Sequence, residues 1–244
     1  MKLSKTLIAS SVAAVMAAGV MAPAQAEVEV GASVGISNAY MWRGFELGSG
    51  TPVVSGDLSV SASGFFAGIW TSSGDTSAGT EYDLYAGYGG EVSDFSYGIQ
   101  YVTYVYPTGG YKETDGTPGK FAEVILSLGY GPVSFDYHKN ISDVSDKTVG
   151  EEVIPGYSFS KDYQYYKLSF EFGAFGAAIG MHDEADAAEA SVTGNAMHID
   201  FSYAYNDNLT FTLSAIGSSD EGKGSGFEEA KPFFNVAYTL PLGE

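Results

Sequence analysis

The sequence predicts an all-β fold: an up-and-down antiparallel barrel of about twelve strands that spans a membrane and follows a cleaved leader. Three observations predict it. Many stretches alternate apolar and polar side chains at period two, the connections between them are alternately short and long, and the chain opens like an exported protein. Lys2 and Lys5 precede an apolar run from Leu7 to Val20, and Ala24-Gln25-Ala26 is a small-x-small cleavage site. Residues 1–26 therefore read as a signal peptide, too short in its apolar part to span a bilayer as a helix, and 27–244 as one barrel domain.

The strands are expected at 28–42, 52–61, 65–72, 81–89, 95–106, 121–130, 133–140, 163–172, 175–183, 197–205, 209–217 and 231–240. Most come close to the roughly 9–11 residues that a tilted strand needs to cross a bilayer. Glu81–Gly89 and Phe95–Tyr106 show the pattern most clearly. Tyr82, Leu84, Ala86 and Tyr88 alternate with Glu81, Asp83, Tyr85 and Gly87, and after a compact turn Phe95, Tyr97, Ile99 and Tyr101 alternate with Ser96, Gly98, Gln100 and Val102. Short turns are read near 62–64, 90–94, 131–132, 173–174 and 206–208. Longer, polar loops are read at 43–51, 73–80, 107–120, 141–162, 184–196 and 218–230. A barrel with short periplasmic turns and long external loops sorts its connections in this way, with both termini in the periplasm; a Greek-key sandwich has no reason to.

Charge and composition narrow the class. Once the leader and its two lysines are removed, 30 acidic residues face nine basic ones, a net charge of −21, which disfavours nucleic acid and anionic surfaces as partners. Apolar residues at 45% and abundant Tyr and Phe rule out a disordered acidic chain, and with no cysteine there is no disulfide or thiol chemistry. Within the strands the polar side chains fall on the face opposite the apolar one. That face is expected to line a lumen through Asp57, Asp83, Gln100, Glu123, Asp136, His138, Lys167, Glu171, His198 and Asp200.

The segment Ser37-Asn38-Ala39-Tyr40-Met41-Trp42-Arg43-Gly44-Phe45, at the end of the first predicted strand, resembles the TorF-like porin family of proteobacterial outer membranes. Gly64–Trp70 and Glu81–Tyr88 followed by Asp94–Tyr97 agree as well, so the resemblance covers most of 37–107. Its motif positions here are Ser37, Asn38, Tyr40, Trp42, Arg43 and Gly44. The resemblance implies an outer-membrane barrel acting as a pore. Barrels of that compartment commonly end on an aromatic residue; here Tyr238 and Leu240 are followed by Pro241–Glu244, an overhang expected to be tolerated.

Other chemistry reads weakly. His138 with Asp136, and His198 with Asp200, are spaced to orient a general base, but no Gly-x-Ser-x-Gly elbow accompanies them, and polar lining of a wet lumen is the preferred reading. No catalytic, cofactor or metal residue is assigned. Acidic clusters at Glu151-Glu152, Asp183–Asp186, Asp220-Glu221 and Glu228-Glu229 offer divalent cations a bridge to lipopolysaccharide, although such loop runs are usually just solvated. Arg43, the one arginine in the chain, is expected to hold an inward loop or to grip a lumen carboxylate bidentately. The expected function is passive diffusion of small hydrophilic solutes with weak cation selectivity. The alternatives are a non-conducting structural or adhesive barrel and, behind it, a barrel hydrolase.

Overall fold

The computed structural model describes residues 28–47, 50–75, 79–108, 117–142, 147–149, 152–154, 162–183, 195–218 and 232–242. The leader expected at residues 1–26 lies outside them. So do the acidic loop clusters, apart from Glu152 and Asp183.

Twelve antiparallel strands close into one barrel. In chain order the elements are β1 Glu29–Ser37, β2 Tyr40–Trp42, β3 Phe45–Leu47, β4 Val53–Ala62, β5 Phe65–Asp75, β6 Gly79–Val92, β7 Phe95–Val105 and β8 Phe121–Tyr130. There follow β9 Val133–Asn140, β10 Lys147–Val149, β11 Glu152–Ile154, β12 Gln164–Phe172, β13 Phe175–Asp183, β14 Ala196–Ala204, β15 Leu209–Ser218 and β16 Phe233–Pro241. β1 closes the wall by pairing with β4 on one side and β16 on the other. The pairs β2–β3 and β10–β11 are separate two-stranded ribbons.

Burial follows strand parity. Val54, Leu58, Ile99, Leu126, Phe170 and Phe201 are exposed on the outside, whereas Glu81, Asp83, Gln100, Glu123, His182 and His198 are buried inside. Closure satisfies the backbone of every wall strand, the condition for crossing a bilayer with strands. At the short-turn rim the outward face carries an aromatic ring that includes Phe65, Tyr88, Phe95, Tyr130, Phe172 and Phe175, with Phe65 edge-on to Tyr88 at 4.8 Å. Toward the long connections Tyr137 packs on Tyr166 at 5.2 Å. An aromatic ring at the rim of an apolar band is the pattern of a barrel wall that meets a membrane interface.

Two expectations need correction. The first strand does not run to Trp42: the wall strand ends at Ser37, and Tyr40–Leu47 turns into the lumen as the hairpin β2–β3. Asn38 makes the departure possible. Its side chain donates to Phe234 O (3.0 Å) and accepts from Val236 N (2.6 Å), so an amide replaces the ladder as the backbone leaves it. Asn235 secures the corner by donating to Ser37 Oγ (2.6 Å) and Ala39 O (3.1 Å). In addition, β6 runs through Val92, so the turn before β7 is tighter than expected, with Ser93 at φ 59°.

The interior is also less uniformly polar than its sequence pattern suggests. On the β4–β8 side Val53, Phe66, Trp70, Tyr85, Val102 and Ile125 form a packed cluster with Tyr40 of the hairpin, and Leu47 rests against it. On that side the inward face thus mixes a packed apolar cluster with the buried polar residues Glu81, Asp83, Gln100 and Glu123.

Candidate functional site: the hairpin in the lumen

The hairpin turns at Arg43-Gly44, between the paired residues Trp42 and Phe45. Arg43 has φ 45° and Gly44 φ 87°, positive at both central positions, as a two-residue turn of the mirror-image kind requires. Gly44 is needed for a second reason. A Cβ there would overlap the ring of His198, and the same ring lies against Gly180 on the facing strand, so two glycines make the slot for one imidazole.

Arg43 is the centre of the site. Its Nη1 donates to Glu123 Oε1 (3.0 Å) and its Nη2 to Glu123 Oε2 (2.5 Å), a bidentate grip across the lumen onto β8. Nη1 also donates to Tyr163 Oη (3.0 Å) and Nη2 to His138 Nδ1 (3.0 Å). Tyr104 donates to Glu123 Oε2 (2.8 Å), so the carboxylate is served from both sides. The guanidinium lies over Tyr165 at 4.7 Å and Trp42 at 4.8 Å. Its side chain is 8% exposed and that of Glu123 0%.

The three histidines surround this cation. His182 Nε2 donates to Arg43 O (2.9 Å), which leaves its Nδ1 to accept from the Tyr163 hydroxyl (2.8 Å). His198 Nδ1 donates to Asp200 Oδ1 (3.1 Å), and its Nε2 accepts from Tyr165 (2.8 Å). Both ring nitrogens of His198 are therefore engaged, and Ser214 donates to Asp200 (2.6 Å), not to the imidazole. His138 meets Arg43 through Nδ1 rather than pairing with Asp136, which accepts from Ser127 (2.6 Å). These contacts are those of a scaffold that positions a hairpin.

All ten residues expected to line the lumen lie on inward-facing positions of the wall. Asp83, Gln100, Asp136, His138, Lys167, His198 and Asp200 converge on one cavity of about 70 Å3 beneath the hairpin, together with Tyr40, Trp42, Arg43 and Gly44 of the motif. Glu123 sits under Arg43, and Asp57 accepts from Tyr85 (2.7 Å) on the core side. Glu171 lies nearer the short-turn end, opposite Gly176. Ser37 and Asn38 build the corner instead of the site. Sequence reasoning missed Glu81, Tyr104, Tyr163, Tyr165 and His182 as partners of the hairpin. Parity alone would have placed Glu81 and Tyr165 inside, but nothing local says that a hairpin waits there for them. Glu81 accepts from Tyr40 (2.5 Å) and Tyr106 (2.8 Å).

Comparison with solved structures returns membrane barrels. A protein solved in work on in-meso crystallisation of membrane proteins shares 10% identity at TM-score 0.53, over 86% of this chain and 83% of that one. Outer membrane phospholipase A from Escherichia coli shares 10% identity at TM-score 0.42, over 88% and 90%. An outer membrane channel from Pseudomonas putida F1 shares 16% identity at TM-score 0.37, over 91% and 100%. Only the first is similar enough to speak for the fold, and it agrees with the closed barrel. No curated protein sequence matches. A family model does match, over residues 21–183, which end with β13. The chain belongs to the Gcw_chp family, bacterial proteins of unknown function.

Proposed function

We propose that the chain is a channel-forming barrel of the bacterial outer membrane, which admits small hydrophilic solutes along a narrow lumen restricted by the β2–β3 hairpin. The observation that carries this reading is the sorting of charge across the wall. Asp83, Asp136, Lys167 and Asp200 converge on an interior cavity, while outward neighbours such as Phe135, Leu168 and Phe201 are exposed. Ionisable side chains inside a lipid-embedded wall are costly unless they serve a wet lumen, so their number supports a water-filled path. The resemblance to TorF-like porins supports the same reading.

The bore is narrow for two reasons. A twelve-stranded wall lies between eight-stranded barrels, which side chains fill, and sixteen-stranded porins, which leave a channel. Here the hairpin and the aromatic cluster occupy part of that space. Inward carboxylates at Asp57, Glu81, Asp83, Glu123, Asp136, Glu171 and Asp200 face only Arg43 and Lys167 as inward cations on the described strands and hairpin. In a path narrower than the roughly 8 Å Debye length at physiological salt, that excess favours cations. The long connections face outward toward lipopolysaccharide, and the termini face the periplasm. No hydrolytic step and no cofactor is assigned.

One observation favours a second reading, a non-conducting structural barrel: the buried Arg43–Glu123 pair fixes the hairpin inside the lumen. Liposome swelling separates the two. Vesicles carrying the refolded protein should swell in small polyols at rates that fall steeply with solute size. Vesicles as tight as protein-free lipid for every solute would favour the closed barrel.

A further inference from the structure

All three histidines of the chain sit against the tip of the β2–β3 hairpin, and two of them seat it as neutral rings. A guanidinium has no acceptor, so His138 Nδ1, 3.0 Å from Arg43 Nη2, carries the lone pair. His182 donates from Nε2 to Arg43 O (2.9 Å), so its Nδ1 accepts from the Tyr163 hydroxyl (2.8 Å). That hydroxyl oxygen in turn accepts from Arg43 Nη1 (3.0 Å). Each ring thus completes the seat of the arginine through an acceptor at Nδ1.

A proton on either Nδ1 reverses its bond. On His138 it sets donor against donor. The carboxylate oxygen within ion-pair reach of that nitrogen is Glu123 Oε2, at 3.6 Å, which Arg43 already holds. On His182 it brings a second cationic donor to the Tyr163 oxygen. The groups facing His138 are Arg43 from the hairpin, Glu123 from β8, Tyr165 from β12 and Asp136 on its own strand. Those facing His182 are Arg43, Tyr163 and Tyr165, His198 from β14 and, beyond Arg43, Glu123. Asp136 is engaged by Ser127 and Asp200 by His198, so Arg43 and any added charge compete for Glu123. The base of the hairpin is held differently, by the amides of Asn38 and Asn235, which do not titrate.

We infer that acidification releases the hairpin tip: protons taken up at His138 and His182 unseat Arg43 from Glu123, while the Asn38–Asn235 corner stays as the pivot. The sign follows from linkage. Both Nδ1 atoms are proton-free in the pinned state and ordinary imidazole nitrogens once released, so proton uptake favours release. The pin is at full strength above the ordinary imidazole range near pH 6.5 and weakens below it. Each ring contributes up to about tenfold per pH unit, so two units below that range the pinned-to-released ratio should have fallen about ten-thousandfold. The inference goes beyond the channel reading and rests on it only for the consequence, a wider path at acid pH. Release is therefore measured without conductance.

Trp42, on the hairpin, serves as reporter once the other tryptophan is removed by Trp70→Phe. Acrylamide quenching of Trp42 is followed in the refolded protein, in detergent at constant ionic strength, from about pH 8 to about pH 4.5. Quenching should be low at neutral pH and rise reversibly on the acid side of the imidazole range. Combining His138→Gln with His182→Gln should remove that rise. Arg43→Ala, which deletes the pin itself, should give high quenching at every pH, and it keeps the test decisive if the double variant fails to refold. No acid rise in the parent, or the same rise in either variant, would overturn the inference. A rise in a protein that conducts at no pH would uphold the release and remove the channel reading instead.

Discussion

Arg43 and Glu123, 80 positions apart in the chain, meet in a bidentate ion pair that pins an inward hairpin to the opposite wall of the barrel. The pair is nearly sealed from solvent, and Tyr104, Tyr163 and His138 complete it. A buried pair of this kind contributes little net stability over an apolar replacement, but losing one partner strands the other. Its role is therefore positional: it decides where the hairpin sits.

Arg43→Ala leaves the Glu123 carboxylate buried without its cation, held by the Tyr104 hydroxyl. The expected cost is about 3–5 kcal/mol in a reversible unfolding titration, with the hairpin becoming protease-sensitive before the wall does. Arg43→Lys keeps the charge, loses the fork and should recover only part of it. Wild-type protease resistance in Arg43→Ala would remove the pair from the account.

Two glycine substitutions separate backbone strain from steric fit. Gly131→Ala, at φ 55° with open space around the new Cβ, should cost about 1–2 kcal/mol, the left-handed penalty alone. Gly44→Ala adds an overlap with the His198 ring and should cost clearly more. Equal losses, read in the same unfolding titration, would mean that the hairpin turn does not press on His198.

Selectivity should follow the lumen acids that Arg43 does not neutralise. Under a salt gradient the wild-type reversal potential should have the sign of a cation-preferring pore. Changing Asp83, Asp136 and Asp200 together to Asn should move it toward zero. Glu123 is left out because its removal frees Arg43 as an unbalanced cation. An anion-selective wild type would contradict the assignment.

Orientation is testable with cysteines, since the chain has none of its own. Asp162→Cys, exposed beside a long connection, should react with an impermeant thiol reagent on intact cells. Asp94→Cys and Asp207→Cys, at short turns, should react only after the outer membrane is opened. The reverse pattern would invert the barrel.

Much of the wall was legible because strand parity is a local signal. Tyr82 and Leu84 against Glu81 and Asp83 already separate outside from inside, and Gly131-Pro132 already marks a turn. The hairpin was not legible for the same reason. Alternation continues through Tyr40 and Trp42 as if the wall strand went on, and the break depends on the Asn38 side chain meeting β16 nearly 200 residues later. Val102 and Ile125 sit at inward positions that parity gives correctly. That they pack into a core depends on the hairpin bringing Tyr40 to them, which no window of sequence contains. The resemblance singled out the residues from Ser37 to Gly44, and the structure supplies a physical role for most of them: a corner, an aromatic insert, a cation and a turn.

The most direct test is single-channel recording of wild type and Arg43→Ala, refolded side by side and placed in the same planar bilayer. A channel restricted by a pinned hairpin predicts small, discrete, cation-preferring steps for the wild type and larger or noisier steps for the variant. Silence from both proteins, with both shown to be folded and inserted, would contradict the account and leave a barrel that does not conduct.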